Sequence, residues 1–210
     1  MRKILFLSLT LLALGSCAQG LKKHGYELYR HMDTTGPEKY SYKNAKGVVI
    51  IPDDRYPIAY TDTIKTIGFV VKRGEGIWAI NTKGEELFRV VNYDNGPDYV
   101  SNGLFRIENE KGLIGFADMD GNVVIPPKFK WVDPFHEELS AVCIDCESEK
   151  HENPKIFTKL LKGAFGFIDK KGNIVIEPQF DLVSYFKNGR CKVWKNGREY
   201  YIDKKGNEIK

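Results

Sequence analysis

The chain alternates short runs of apolar residues with a polar phrase, and five copies of this phrase define a repeat. The phrase is Asn or Asp, two further residues and then Gly, and successive glycines are 37, 37, 51 and 34 residues apart. A repeated period of this size marks one supersecondary unit copied along the chain. The five copies are Asn44 to Gly47, Asn81 to Gly84, Asp118 to Gly121, Asp169 to Gly172 and Asp203 to Gly206.

The phrase itself is typical of a type I turn. The Asp or Asn oxygen accepts hydrogen bonds from backbone amides, and Gly adopts the positive φ that returns the chain to a strand. Short runs rich in β-branched and aromatic residues flank it, such as Phe165–Ile168 and Ile174–Ile176, and these predict strands. The Asn196-Gly197 pair predicts a hairpin tip before the last copy. Each unit is therefore predicted to be an antiparallel meander of three strands.

The predicted middle strands are apolar on both faces, as in Ile114–Ala117 and Phe165–Ile168. A strand of this kind is covered on both sides, which stacked copies of the unit would provide. We predict an all-β fold of about five meander units in a curved array. The spacing leaves open whether the array closes around an axis like a propeller. Pro126 and Pro178 are predicted to mark the ends of strand pairing, because proline has no amide to donate.

The segment Phe165–Phe180 resembles the WG-repeat family of bacterial β repeats. That family's phrase runs Trp-Gly, an aromatic, Ile-Asp, two polar residues, Gly, an apolar strand, then Pro and an aromatic. Ile114–Phe129 is a second copy and Tyr200–Ile209 a truncated third, and the resemblance covers roughly residues 40 to 210. No copy keeps the Trp-Gly pair, so we expect the same scaffold with altered packing. The resemblance implies a repeat array without a common catalytic activity.

The first residues have the form of a secretory signal. Arg2-Lys3 precedes an apolar run, Ile4–Leu14, that is too short to cross a bilayer. Leu14-Gly15-Ser16-Cys17 resembles the bacterial lipobox, which implies that residues 1–16 are a signal peptide and that Cys17 carries the lipid. The alternative is an ordinary signal peptide that contains a cysteine. We predict a membrane-anchored cell-envelope lipoprotein, periplasmic or surface-exposed, with residues 17–39 as the lipidated N-terminus and tether and 40–210 as the repeat domain. Within the tether, Leu28–Met32 fits either a short helix or a first strand.

One spacing is longer than the others because of an insertion at residues 145–161. Insertions in repeat proteins lie on one face and often carry recognition. Its second half, 154–162, fits a short helix or one strand of a hairpin arm. Cys143 and Cys146 at its start allow three interpretations, a local disulfide, free thiols, or a metal site with His136 or His151.

Composition excludes several classes of function. Two of the 32 basic side chains lie in the signal, which leaves 30 against 28 acidic side chains. This near-balance of charge does not indicate the clustered basic surface that a nucleic-acid-binding protein needs. The sequence contains no Gly-rich phosphate loop and no spacing typical of a nucleophile and its base. A structural zinc ion needs four ligands, and the sequence has a single Cys-x-x-Cys pair. We therefore predict no cofactor, no metal and no enzymatic activity.

Two binding functions remain. The first is a scaffold for a protein partner in the envelope, because repeat arrays present extended surfaces. The second is binding of a glycan or peptidoglycan by exposed aromatic rings that lie in one plane. The aromatic candidates are Tyr56, Tyr60, Tyr93, Tyr99, Trp131 and Trp194.

Overall fold

The computed structural model describes residues 26–36, 38–149 and 160–209, and over these ranges the chain forms strands and turns without a helix. These ranges accordingly contain no helix that could cross a membrane. In chain order the strands are β1 Leu28–Asp33, β2 Lys39–Asn44, β3 Val49–Ile51, β4 Ile58–Ala59, β5 Thr63–Ile64, β6 Ile67–Lys72, β7 Gly76–Asn81, β8 Glu86–Val90, β9 Asn92–Tyr93, β10 Gly96–Pro97, β11 Leu104–Glu108, β12 Ile114–Asp118, β13 Val123–Phe129, β14 Trp131–Val132, β15 Ser140–Cys143, β16 Glu147–Glu149, β17 Leu160–Lys162, β18 Phe165–Ile168, β19 Ile174–Phe180, β20 Leu182–Val183, β21 Arg190–Lys195, β22 Arg198–Asp203 and β23 Glu208–Ile209.

The described part of the chain contains five antiparallel meanders that follow one another. We call them units 1 to 5, and they are β1–β2–β3, β6–β7–β8, β11–β12–β13, β15–β18–β19 and β21–β22–β23. Short strands such as β4, β14 and β20 lie beside the first strand of a unit. β16 and β17 pair only with each other and interrupt unit 4. The predicted all-β array of about five meanders is confirmed.

Four hydrophobic cores hold the units together, one at each junction. Successive residues of a middle strand point into different cores. Ala117 lies in the core between units 2 and 3, whereas Phe116 lies in the core between units 3 and 4. One unit later, Ile168 lies in the core between units 3 and 4, and Phe167 lies in the core between units 4 and 5. Each inner unit therefore buries both faces of its sheet, which explains its uniformly apolar middle strand.

The turn glycines also contribute to the contacts between units. A Cβ on Gly172 would lie 3.0 Å from Ile125 of unit 3, and one on Gly206 would lie 3.2 Å from Ile176 of unit 4. Gly84 approaches unit 1 in the same way. A side chain at these positions would push neighbouring units apart, so glycine serves both the turn and the stacking.

Gly115 and Gly166 lie beneath a bulge in units 3 and 4. In unit 4, Phe165 pairs with Phe180 and Phe167 with Ile176, so three residues of β19 lie opposite Gly166 alone. A Cβ on Gly166 would lie 2.4 Å from the Ile176 carbonyl oxygen. Glycine in a strand often marks such a close approach of backbone.

Unit 2 shows what happens without this glycine. It carries Trp78 at the equivalent position, and β7 pairs with β8 there without a bulge. Val90 follows the turn glycine Gly84 by six residues, whereas Phe129 follows Gly121 by eight. The two residues that form the bulge are missing where the glycine is missing.

The prediction that pairing ends at the prolines is wrong. Pro126 lies inside β13, which continues to Phe129, and Pro178 lies inside β19, which continues to Phe180. The prolines belong to the bulges, where the ladder of hydrogen bonds is interrupted and no amide donor is needed.

The domain boundary predicted at residue 40 is too late. β1 lies within the segment predicted as a tether, and it pairs with β2 from Leu28↔Asn44 to Asp33↔Lys39. The side chain of Leu28 is buried in the core between units 1 and 2. The repeat array therefore begins at Leu28.

Candidate functional site

The predicted signal peptide, 1–16, and the predicted lipid-attachment residue, Cys17, lie outside the described residues. The same is true of His24 and of residues 150–159 in the insertion. These predictions remain predictions.

The predicted turn residues form five similar turns. At Asp169, the Gly172 amide donates to the Asp169 carbonyl at 2.9 Å, and Asp169 Oδ1 accepts from the amides of Lys171 and Asn173 at 2.8 and 2.9 Å. The five glycines have φ between +76 and +87°. The same carbonyl bond recurs in the turns that begin at Asn44, Asn81, Asp118 and Asp203.

The three aspartates of these turns, Asp118, Asp169 and Asp203, accept hydrogen bonds from backbone amides with their carboxylates. Hydrogen bonds from the Asn207 side chain and amide hold the pKa of Asp203 below its usual value. A sixth turn of this type, Asn109 to Gly112, joins β11 to β12, where the sequence predicted a hairpin at Gly112 but not the type of its turn. Its signal was present in the sequence, because Asn109-Glu110-Lys111-Gly112 has the same phrase.

Cys143 and Cys146 form a disulfide at the base of the insertion, with Cα atoms 5.5 Å apart. Both cysteines are buried in the core between units 4 and 5. A Cβ on Gly163, where the chain returns, would lie 2.7 and 2.8 Å from their two sulfur atoms. The disulfide therefore fixes the point where the insertion leaves the core.

The insertion begins and ends as a two-stranded arm. β16 pairs with β17 from Glu147↔Lys162 to Glu149↔Leu160. Of the two structures predicted for the second half, the described part is a strand. His136, one of the proposed metal ligands, stacks instead on Tyr185 with ring centroids 4.5 Å apart. The described residues hold no group of three His, Cys, Asp or Glu side chains suited to a metal ion.

Three of the six aromatic candidates come together at the surface. Tyr93 and Tyr99 are 49% and 62% exposed, with ring centroids 5.2 Å apart and an angle of 65° between the rings. Tyr60 is 37% exposed and donates its hydroxyl to the Asn95 carbonyl at 3.0 Å. We call Tyr60, Tyr93 and Tyr99 the tyrosine patch.

The other three candidates contribute to packing. Tyr56 is buried in the core between units 1 and 2. Trp131 packs edge-to-face on Phe165 with centroids 5.3 Å apart, and Trp194 is half-buried.

A buried ion pair supports the tyrosine patch. Arg106 donates Nη2 and Nε to the two carboxylate oxygens of Asp98 at 2.6 and 3.0 Å, and its amide donates to the same carboxylate at 2.8 Å. Its Nη1 donates to the Val132 carbonyl at 3.2 Å, and its guanidinium lies 5.9 Å from the Tyr93 ring centroid. Since Asp98 directly precedes Tyr99, the pair holds that tyrosine against unit 3.

A second carboxylate lies beside the ion pair. Burial raises the pKa of Asp133, although the positive charges of Arg106 and His136 oppose the shift. All three guanidinium nitrogens of Arg106 are used by Asp98 and Val132, so this cluster stabilises the fold. Sequence reasoning missed it, but a charged residue in the middle of the apolar strand β11 was a signal for a buried pair.

Glu137 and Glu138 form a turn in an unusual conformation. Their φ angles are +49 and +73°, a region that is strained for residues other than glycine. The matching turns in the neighbouring units use Asn102-Gly103 and Asn188-Gly189. Nothing in the sequence predicts a turn of this type at two glutamates.

The strained turn connects three units. The Glu137 carboxylate accepts from the amides of Asn188 and Gly189 at 2.5 and 2.9 Å, on the segment leading into unit 5. The Glu138 amide donates to Asn102 Oδ1 at 2.9 Å, before unit 3. The Gly189 amide is the main cause of the lowered pKa of Glu137. These contacts offset part of the strain.

Two segments of the chain match the family model described as WG containing repeat, residues 114–145 and 165–198. Both matches begin at a middle strand with a bulge glycine, Gly115 or Gly166, and end near the first strand of the next unit. Together they cover about a third of the chain. They show that units 3 and 4 are similar to this β repeat. No curated protein matches the chain.

Proposed function

We propose that this chain is a WG-repeat lipoprotein of the bacterial cell envelope, anchored through Cys17, whose β-repeat array binds a protein partner without catalysing a reaction. The tyrosine patch is the observation that carries the binding function. Tyrosine and arginine are enriched where protein interfaces concentrate their binding energy. Here Tyr60 is bonded to the Asn95 carbonyl, Tyr93 lies against the Arg106 guanidinium and Tyr99 packs on Tyr93, so little side-chain freedom is lost on binding.

The geometry of the rings favours a protein over a glycan. A sugar platform needs rings that share a plane, and Tyr93 and Tyr99 are inclined by 65°. Edge-to-face rings present one ring face and one ring edge side by side, which suits contacts with varied protein side chains. The glycan function stays a prediction, tested below as a separate outcome.

The first experiment tests the anchor. The full chain is expressed in bacteria with an alkyne fatty acid, and labelling of the wild type is compared with that of Cys17→Ser. We expect the label and the membrane association to disappear together in the variant. Labelling of both chains, or of neither, would contradict the proposal.

The second experiment tests the binding surface. Proteins cross-linked to the wild type in intact cells are compared with those cross-linked to Tyr93→Ser/Tyr99→Ser and to the control Val175→Ser. Val175 is also exposed but lies on β19, away from the patch. We expect a partner that is lost only with the tyrosine pair. Retention of every partner, together with binding of peptidoglycan fragments, would favour the glycan function.

A third variant separates the patch from the arm. Deletion of residues 147–162 joins Cys146 to Gly163, which already lie in contact, and leaves the disulfide in place. If the partner is lost with this deletion and retained without the tyrosines, the binding surface is the arm.

A further inference from the structure

The stack of five units has two outer faces. Among the described residues, the four cores cover both faces of units 2, 3 and 4 but only one face of units 1 and 5. In repeat proteins the terminal units need a polar outer face to stay soluble. The two ends of this stack differ in how they meet that need.

Unit 5 covers its outer aromatic rings with cations. Arg190 and Lys192 lie over the Tyr201 ring at 4.9 and 5.7 Å, and Lys192 lies 5.7 Å from the Trp194 ring. Long basic side chains shield apolar surface from water in this way while their charged ends stay solvated. Tyr201 is left 36% exposed.

Unit 1 has no such cover among the described residues. Tyr29, Lys43 and Val49 form a row across its three strands, because Tyr29 pairs with Lys43 and Lys43 with Val49. Tyr29 is 43% and Val49 50% exposed. Lys43 and Lys46 form no ion pair with any described residue. Other large exposed apolar side chains in this unit are Tyr26, Met32 and Val48.

The row also borders a concave surface. His31, Met32, Ser41 and Lys43 line a cleft of about 550 Å³ on this side of unit 1 together with Val49. Two carboxylates, Asp33 and Asp53, line the same cleft. Each nearby carboxylate already has a partner, because Glu27 accepts from the Tyr29 hydroxyl at 3.0 Å, Asp53 pairs with Lys39 at 3.8 Å and Asp33 accepts from the Thr35 amide at 2.9 Å. Apolar, aromatic and basic groups therefore share one open face at the N-terminal end of the stack with these partnered acidic groups.

The predicted anchor lies close to this face. Tyr26, where the described structure begins, is nine positions after Cys17 along the chain. A chain of that length reaches at most ~30 Å. Lipid attachment at Cys17 would therefore keep unit 1 next to the membrane, whereas unit 5 lies four units further along the stack.

We propose that the outer face of unit 1, with Tyr29, Lys43 and Val49, rests on the anionic lipid headgroups of the membrane. This inference rests on the proposed anchor at Cys17. Tyrosine is favoured at the boundary between headgroups and acyl chains, where its ring is apolar and its hydroxyl wet. Lysine ammonium groups are attracted to anionic lipid. The short tether makes the contact intramolecular, so a weak intrinsic affinity is sufficient.

The test places a photoreactive benzophenone amino acid at Tyr29 in the full chain, with Tyr201 as the matched position on the other outer face. After irradiation of intact cells, the intact mass of the mature protein identifies the adduct. We expect phospholipid adducts on the order of ten-fold more abundant at position 29 than at position 201, because the tether raises local lipid concentration at one end only. Equal yields, no adduct at 29, or a protein adduct alone at 29 would overturn the inference.

A charge variant checks the lipid chemistry. In the Tyr29-labelled chain, Lys43→Gln should lower the lipid adduct about five-fold, since one ammonium group is removed from an anionic surface. Lys205→Gln, at the other end of the stack, should leave the yield unchanged. Equal effects of the two variants would contradict a headgroup contact.

The same mass spectrum separates failure of the inference from failure of the proposed function. Acyl groups at Cys17 without a lipid adduct at position 29 would overturn the membrane face alone. A mature chain without acyl groups would overturn the anchor and the membrane face together.

Discussion

Substitution of Gly166 by alanine tests the role of the bulge glycine. The new Cβ would lie 2.4 Å from the Ile176 carbonyl oxygen, 2.7 Å from the Pro178 nitrogen and 2.9 Å from the Glu177 carbonyl carbon. All three are backbone atoms, so no side-chain rotation relieves the contact. Real Cβ contacts are rarely shorter than 3.0 Å, and β19 must therefore move by about 0.6 Å or more.

That movement disturbs the core between units 4 and 5. The bulge is fixed on both sides by Ile176 and Phe180, which are buried in this core. Overpacking of this kind costs 1–3 kcal/mol and occasionally more, so we expect Gly166→Ala to lower the free energy of unfolding by about 3 kcal/mol. For a chain of this length the melting temperature should fall by about 10 °C.

Two control variants separate the steric cost from the intrinsic cost of removing glycine. Gly36 has open space around its Cβ and an ordinary φ, so Gly36→Ala should change stability by less than about 0.5 kcal/mol. Gly197 also has open space but a φ of +75°, so Gly197→Ala should cost about 1 kcal/mol from backbone strain alone. Urea unfolding followed by tryptophan fluorescence measures all three variants. A cost for Gly166→Ala no larger than that for Gly197→Ala would refute the explanation of the bulge.

Three further predictions concern the charged residues between units. Glu138→Gly should stabilise the protein by about 0.5–1 kcal/mol in thermal unfolding, because it removes a strained φ. The ion pair lost with Lys170 is exposed and contributes little. A loss of stability would show that the turn is not strained. Since the pKa of Glu137 is lowered, its contribution is present above its unfolded pKa near 4.5 and is lost as the pH falls through the lower folded value. The stability difference between wild type and Glu137→Gln should therefore shrink as the pH falls below 4.5, and a constant difference would contradict this. Asp98→Ala should lower the free energy of unfolding in urea by about 3–5 kcal/mol, because it leaves the Arg106 charge buried without a partner. A decrease below about 1 kcal/mol would mean that water reaches the guanidinium.

The repeat architecture could be predicted because its signals are local. Each turn is specified within five residues by one Asp or Asn side chain and one glycine with positive φ. The apolar middle strands then indicated that units must stack. The sequence left Leu28–Met32 undecided between a short helix and a first strand, although Asp33-Thr34-Thr35-Gly36 after it carries the repeated phrase.

The parts that could not be predicted depend on contacts between distant residues. Asp98 and Arg106 are eight residues apart, but their burial requires Val132 of the next segment to close over them. The strained turn at Glu137 is stabilised by amides 51 and 52 residues away. Gly166 could be recognised as part of a repeat phrase, but its close contact with the bulge of β19 is visible only in the structure.

The most direct test of the proposed function is a photoreactive amino acid placed at Tyr99 in the full chain in intact cells. We expect one discrete protein adduct at this position, absent at the control position Val175 and lost when Cys17→Ser removes the anchor. A glycan adduct, or equal protein adducts at both positions, would contradict binding of a protein partner by the tyrosine patch.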